Sequence, residues 1–574
     1  MNKLKTYINS TSFYILCFTI VLFINIFKIR YGSGGRDEPF YLTIPNRMLA
    51  GDLLLIHEWH PSQLTGFVMA PILKLYYFFF QTNEGIILNF RYIYLFTHSI
   101  VAIIVYRNLK NISKLGALTA SLFYFLYTPF SIMTLSYNTL GLMSFLLSGL
   151  LLINENKREN FLSGIFFAIG VLCNPYMTLV FFIYSIFVIS SCYYKKIDFI
   201  TLKKWLYFIF GIILLTILFA GYFFFSRGSI SLLIKSVHYI LNDPEHLPRG
   251  FYQLLKDYSY IFYFINKKFV YIYTTIFFIN IISIFFISKK VLYKNILLSI
   301  NSLLLCVIFY KIWYFSLDFV NYIMFPITIV GLTFFILTKN RNSNVFVHLY
   351  LLGISYSFCM NMSSNIHVWA ISTATTISVI ASCIFIFDYV QKELSYSPPR
   401  EKIDSIILTI IVTTILLGQG LLQLKSKINY VFDATPIKYH TELLTYGVAK
   451  NIKVTPAEKN NYDYTYGLFK EINNYTDAYS GNILYIGNSP SMWLHLENRN
   501  TIPSYSAWIG NFSRSKEISD RLRSYYKLYP NKKPNWVYIT KYYMIEDYIS
   551  IFDNYTQHNL SGGILLEKKE KINT

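Results

Sequence analysis

The sequence predicts an all-α polytopic membrane bundle of about 13 transmembrane helices with a small C-terminal α/β extracytoplasmic domain. Three observations predict it. Of the 574 residues, 54% are hydrophobic and only 14% charged, where a soluble chain carries roughly a quarter charged residues. Apolar runs near the length of a bilayer crossing recur down the chain. The basic residues gather between alternate runs, as the positive-inside rule requires.

Taken in order, the runs fall at about 12–28, 86–106, 115–133, 139–154, 161–174, 175–194, 205–226, 270–288, 295–311, 320–338, 343–360, 367–389 and 403–423. The first carries Lys3 and Lys5 ahead of it and Lys28-Ile29-Arg30 behind it, with no small-residue cleavage site, so a retained anchor is expected in place of a cleaved leader. A cytoplasmic N-terminus makes every inner loop basic. Arg107, Lys110 and Lys114 fall in one, Lys157 and Arg158 in the next, then Lys195, Lys196, Lys203 and Lys204, and so on to Lys392, Arg400 and Lys402. The opposite short loops, at Ser136-Tyr137-Asn138, Asn174-Pro175 and Ser363-Ser364-Asn365, hold no Lys or Arg. An odd number of spans then places the C-terminal end outside.

This divides the chain into a membrane module, 1–423, and an outer domain, 424–574, with two further long outer loops at about 29–85 and 227–269. The apolar stretch Leu64 to Phe80 holds Pro71 and Lys74, and counting it as a span would invert every later loop. An interfacial helix on the outer surface is expected there. In the outer domain, Asn482 to Pro490 and Pro534 to Thr540 read as strands, and Ser515 to Tyr529 as a charged helix between them.

The formal charge of +21 does not point to nucleic acid, because the Lys and Arg residues lie in short runs between apolar segments, where they serve topology and anionic head groups. The membrane itself is the expected partner. All six cysteines, Cys17, Cys173, Cys192, Cys306, Cys359 and Cys383, fall in or beside apolar runs without CxxC spacing, which reads as lipid-buried thiols.

Chemistry is sought in the first loop. It reads Gly34-Gly35-Arg36-Asp37-Glu38-Pro39-Phe40-Tyr41, then His57-Glu58-Trp59-His60-Pro61-Ser62. In a chain this poor in charge, two adjacent carboxyls just outside a span call for a reason. One is structural: an N-cap for a helix with Pro39 in its first turn. The other is catalytic, and the two are compatible. His57, Glu58 and His60 taken alone read as solvated loop residues beside an interfacial Trp59.

In this order directly after the first span, the two clusters resemble the C-type (GT-C) glycosyltransferase superfamily, polyprenyl-phosphate-sugar-dependent enzymes that include the protein O-mannosyltransferases and the lipid A aminoarabinose transferases. The matching elements are Asp37-Glu38 with Tyr41, Ala50-Gly51-Asp52, Glu58-x-His60-Pro61, and Arg91 opening the next span. The sequence departs from the family at Ser62, where a second proline is usual, and at Tyr137-Asn138, where several relatives supply a carboxylate.

The resemblance implies transfer of a sugar from a polyprenyl-phosphate carrier to an acceptor hydroxyl on a glycan, lipid or protein, with inversion. Asp37 is then the general base and Glu38 its positioning or sugar-binding neighbour. Tyr41, His60 and Asn138 are expected at the substrate, and Arg91, Arg249, Lys256, Lys267 and Lys268 at the leaving phosphate, each of these cations having a head-group contact as its other reading. Glu58 and His60, with His246 or His238, are the expected ligands if a divalent metal cation takes part. The other readings are a transporter or flippase of lipid-linked sugars and a catalytically inactive glycolipid-binding relative. Few ionisable residues lie in mid-span, which weighs against transport.

Overall fold

Long apolar runs satisfy their backbone groups internally by forming helices, and most of the described residues do so. The computed structural model describes residues 11–32, 37–154, 156–193, 202–243, 250–259, 324–337, 342–364, 368–396, 416–431, 435–476, 482–495, 502–509, 514–541 and 546–569. The expected spans at 270–288 and 295–311, most of that at 403–423, and the candidates Arg249, His246, Lys267 and Lys268 lie outside the described residues.

Along the first half run α1 (Thr11–Lys28), α2 (Asp37–Leu49), α3 (Thr65–Phe80), α4 (Ile86–Leu109), α5 (Lys114–Leu126), α6 (Tyr137–Ile153), α7 (Lys157–Cys173), α8 (Thr178–Tyr193), α9 (Leu202–Phe225), α10 (Ile230–Leu241) and α11 (Phe251–Ser259). Then follow α12 (Met324–Leu337), α13 (Ser343–Met362), α14 (Val368–Tyr396) and α15, helical over 416–429. Five described helices are long and apolar enough to cross a membrane: Thr11–Lys28, Ile86–Leu109, Lys204–Phe225, Ser343–Met362 and Ala370–Gln391. Other apolar helices, α3, α5, α6 and α10 among them, are shorter, at 10–17 residues.

The structure shortens one expected span for a visible reason. The run at 115–133 is helical only to Leu126, because Tyr127 and Thr128 are extended and Pro129 opens a 3₁₀ turn, Pro129–Ser131. A residue before proline is pushed out of the α region. The stretch from Thr65 to Phe80 is a helix of 16 residues, with Pro71 inside it and Leu75, Phe78, Phe79 and Phe80 exposed. At 1.5 Å per residue it falls short of the roughly 30 Å hydrocarbon layer.

At the centre of the bundle, residues 370–389 of α14 are buried throughout, packed by α5, α12 and α13. At its edge, α1 and α15 turn Ile15, Ile20 and Phe23, and Leu417 and Leu421, outward.

The C-terminal unit contains α16 (Pro456–Thr476), α17 (Ser515–Leu528), a two-stranded ladder β1 (Glu442–Leu443) and β2 (Lys453–Val454), and a sheet of β3 (Ile483–Ile486), β4 (Trp536–Thr540), β5 (Tyr555–Leu560) and β6 (Gly563–Lys568). The sheet order is β3-β4-β6-β5, with β3 parallel to β4 through Ile483↔Trp536 and the other pairs antiparallel. The expected strand, helix and strand are all present. The sequence reading missed α16 and the β5–β6 hairpin. Both carry signals: Thr455 and Glu458 form a capping box, and Ser561-Gly562 joins two strands. The boundary expected at 423 falls inside α15, which continues to 429.

The unit rests on the first loop. Arg30, Tyr31 and Gly32 run beside β2, with Gly32 N–H donating to Lys453 O (2.8 Å) and Lys453 N–H to Arg30 O (2.7 Å). Gly32 has φ +77°, and a Cβ there would stand 1.9 Å from Val431 Cγ1, so only glycine fits. Leu232, Leu233, Tyr239 and Ile240 of α10 pack into the same core as Trp59, Leu484 and Tyr525. The first loop, α10 and the C-terminal unit therefore meet on one side of the bundle.

Candidate functional site

Helix α2 begins at the acidic pair, with Pro39 in its first turn, so the helix dipole favours both charges. The two carboxyls go separate ways. Glu38 is buried and takes a fork from Arg91, Nε to Oε1 at 2.7 Å and Nη2 to Oε2 at 2.5 Å. The remaining donors of Arg91 reach the carbonyls of Ile29 (2.7 Å), Tyr31 (3.3 Å) and Gly32 (2.7 Å). All five guanidinium N–H groups are thus spent on protein. Arg91, expected at a leaving phosphate, here fastens the end of α1 and the start of α2 to α4.

Asp37 is half-buried, one residue nearer the loop. Its charge acts on two phenols, Tyr41 and Tyr137. Tyr41 lies one helical turn along α2, and its ring meets that of Tyr137 edge-on at 5.4 Å. The two hydroxyls pair, and the Asn138 side chain joins Tyr137. Burial first, then Tyr137 and the Asp37 charge, push the Tyr41 hydroxyl well above the usual phenol range, so it remains a proton donor. Ser136 and Thr139 form a capping box that fixes Tyr137 and Asn138 at the start of α6.

His60 completes the group. Its ring stands edge-on to Phe40 at 4.9 Å and 6.3 Å from Tyr137. Its Nδ1 accepts from Ser62 N–H at 3.2 Å, which leaves the proton of the neutral ring on Nε2. Trp508 of the C-terminal unit covers Phe40 at 5.7 Å. The structure therefore brings Asp37, Tyr41, His60 and Asn138 together where two loops meet, under a residue of the C-terminal unit.

Glu58 serves elsewhere. Its Oε1 accepts from His60 N–H (3.0 Å), and its Oε2 from Arg47 Nη1 (2.6 Å) and Ala507 N–H (3.1 Å). Glu58, expected at a metal, is here the buried counter-ion of Arg47. Among the described residues, no three His, Cys, Asp or Glu side chains are placed to hold a metal. Burial outweighs Arg47 and raises the Glu58 carboxyl above its usual range.

Arg47, which the sequence reading did not single out, is the hub of that second cluster. It is 1% exposed, and donates through Nε to Asp52 (2.8 Å) and through Nη2 to the carbonyls of His57 (2.9 Å), Ile502 (3.1 Å) and Ser504 (2.8 Å). Lys532 Nζ closes on the other oxygen of Asp52. Burial alone would raise Asp52, but Arg47, Lys532 and His57 outweigh it and hold the carboxyl below its usual range. Trp59 stacks on Tyr239 of α10 at 4.4 Å, with the Arg521 guanidinium 5.7 Å from the indole. The segment from His57 to His60 thus keys the C-terminal unit to the bundle.

Lys256 is half-buried on α11, whose Leu254 carbonyl accepts from Asn361 of α13. His238 is on α10, exposed beside Asn242.

No protein-family model matches the chain, and no curated protein matches it significantly.

Proposed function

We propose that the chain is a membrane glycosyltransferase that moves a sugar from a polyprenyl-phosphate carrier to an acceptor hydroxyl at the outer face of the membrane, with inversion. The observation that carries the reading is the meeting of Asp37 with Tyr41, Tyr137 and Asn138. A carboxylate at a helix N-terminus, half open and ringed by hydrogen-bonding side chains, is suited to take a proton from a hydroxyl.

In this reading the acceptor oxygen attacks the anomeric carbon while the bond to phosphate breaks, and Asp37 takes the hydroxyl proton as attack proceeds. Glu38 holds the start of α2 through Arg91. Tyr41, Asn138 and His60 contact sugar hydroxyls. The cations proposed for the departing phosphate are those of the middle loop, Arg249, Lys256, Lys267 and Lys268. About thirteen spans of GT-C type, a cytoplasmic N-terminus, an outer C-terminal unit and a plasma-membrane site belong to the same proposal.

The test supplies the lipid-reconstituted chain with a panel of polyprenyl-phosphate sugars and candidate glycan, lipid and protein acceptors, and reads the anomeric configuration of any product. Inverted product supports the reading. Retention would remove Asp37 as a simple base, and donor crossing the bilayer without release of sugar would favour a flippase.

A further inference from the structure

Helix α9 ends in a way that fixes where the chain goes next. Gly228 N–H donates to Phe223 O (2.8 Å) and Arg227 N–H to Phe224 O (3.0 Å), with Arg227 in the left-handed region at φ +62°. This pair of bonds closes the last turn of a helix and bends the chain off its axis. Ser229 then caps α10, accepting from Leu232 N–H at 3.4 Å. The four residues Ser226 to Ser229 separate the two helices, a reach of at most about 14 Å. Helix α10 therefore starts close to the level where α9 stops.

The apolar face of α9 says what that level is. The helix is long and apolar enough to cross a membrane over Lys204–Phe225, and Phe210, Ile213, Ile217, Leu218, Phe224 and Phe225 stand exposed along one side of it. Such a face belongs in hydrocarbon, and its last two rings mark the end of the crossing. Arg227, exposed just beyond them, is of a type that reaches head groups from the end of a span.

Helix α10 has three sides. Leu232, Leu233, Tyr239 and Ile240 pack into the core shared with the C-terminal unit, and Ser236 Oγ lies 2.9 Å from the Tyr529 hydroxyl. Ile230, Ile234, Val237 and Leu241, at i, i+4, i+7 and i+11, form a stripe about 16 Å long that is exposed along its whole length, Ile234 by 68%. Ser231, Lys235 and His238 make up a third, polar side. Four large aliphatic side chains held in water cost free energy that burial in lipid returns.

We propose that α10 is an interfacial helix whose Ile230 to Leu241 stripe is sunk in the lipid leaflet on the side of the C-terminal unit, with Lys235 facing water. Lipid is the occupant because the stripe follows directly on the exposed end of α9, at the depth where a leaflet meets water. The C-terminal unit then rests on the bilayer through α10. This lipid contact is independent of sugar transfer.

The test places the photoreactive residue p-benzoylphenylalanine at Ile234, at Leu241 or at Lys235 in the full chain, reconstituted in vesicles of phosphatidylcholine and phosphatidylglycerol, and reads phospholipid adducts by intact mass. Two stripe positions guard against loss of fold at one, and melting curves check each variant. Ile234 and Leu241 are expected to give roughly tenfold more lipid adduct than Lys235. No lipid adduct at either stripe position in a folded variant, equal adducts at all three positions, or cross-links from the stripe to other segments of the chain or to a second copy of it would overturn the proposal.

Discussion

Lys532 of the C-terminal unit reaches the buried carboxylate of Asp52 in the first loop, whose other oxygen takes the Nε–H of Arg47. This contact joins residues 480 positions apart and places the loop's chemistry under the C-terminal unit. Removing one partner of a buried ion pair leaves the other charge uncompensated. Arg47→Met is therefore expected to destabilise the docked state by about 3–5 kcal/mol. Hydrogen exchange at 502–508 would rise, while the interior of α14 stays protected.

The pH dependence of that docking has a sign that can be worked out. Burial, with Lys532 and Arg47, lowers the His57 ring from 6.5 to about 4 against the pull of Asp52. A depressed value in the folded state gives stability that is present above pH 6.5 and is lost as pH falls toward 4. Asp52, also depressed, adds to the loss below its unfolded value. Glu58 is raised, so its contribution is present at low pH and lost as pH rises, which offsets part of the fall. Exchange at 502–508 is expected to accelerate between pH 6.5 and 4. In His57→Gln the part of that acceleration due to the ring should vanish.

Glu38 and Arg91 form a separate test of pinning against chemistry. Glu38→Gln and Arg91→Met are each expected to lower the melting temperature strongly, at a cost of about 3–5 kcal/mol. The double variant should recover much of the loss, since both charges go together. A double-mutant cycle on melting free energies measures the coupling.

Trp59 fills the space between Tyr239 and Arg521. Trp59→Ala is expected to cost about 3–5 kcal/mol, the range for truncating a buried large aromatic. Protease sensitivity of α10 and of the C-terminal unit should rise together.

What the sequence made legible follows from range. The helix at Thr65–Phe80 and the strand, helix and strand of the C-terminal unit depend on local periodicity and turn residues. So does the start of α2 at the acidic pair. Partners are not local. Nothing near Arg47 or Glu58 in the chain foretells that both meet residues beyond 500, and nothing near Arg91 that its fork closes on Glu38. The burial of Lys427 against Thr128 is likewise a tertiary fact. The adjacent carboxyls Asp37 and Glu38 were read as calling for a reason, and for Glu38 the structure supplies one in Arg91.

Near Asp37, Tyr41→Phe removes a hydroxyl without emptying the ring's place. If the group binds sugar, this variant should fold normally and lower transfer about tenfold or more, within what a lost buried hydrogen bond allows. Asn138→Ala should do the same. Melting curves beside initial rates separate the effect from unfolding.

The most direct measurement is single-turnover release of prenyl phosphate from donor by the reconstituted full chain, native against Asp37→Asn and Asp37→Glu. The account predicts release by the native protein with at least one donor and acceptor. Asp37→Asn should be slower by about 10²–10⁴ at an unchanged melting temperature, with Asp37→Glu between the two. Native release matched by Asp37→Asn, or no release from any donor while one is carried across the bilayer, would contradict it.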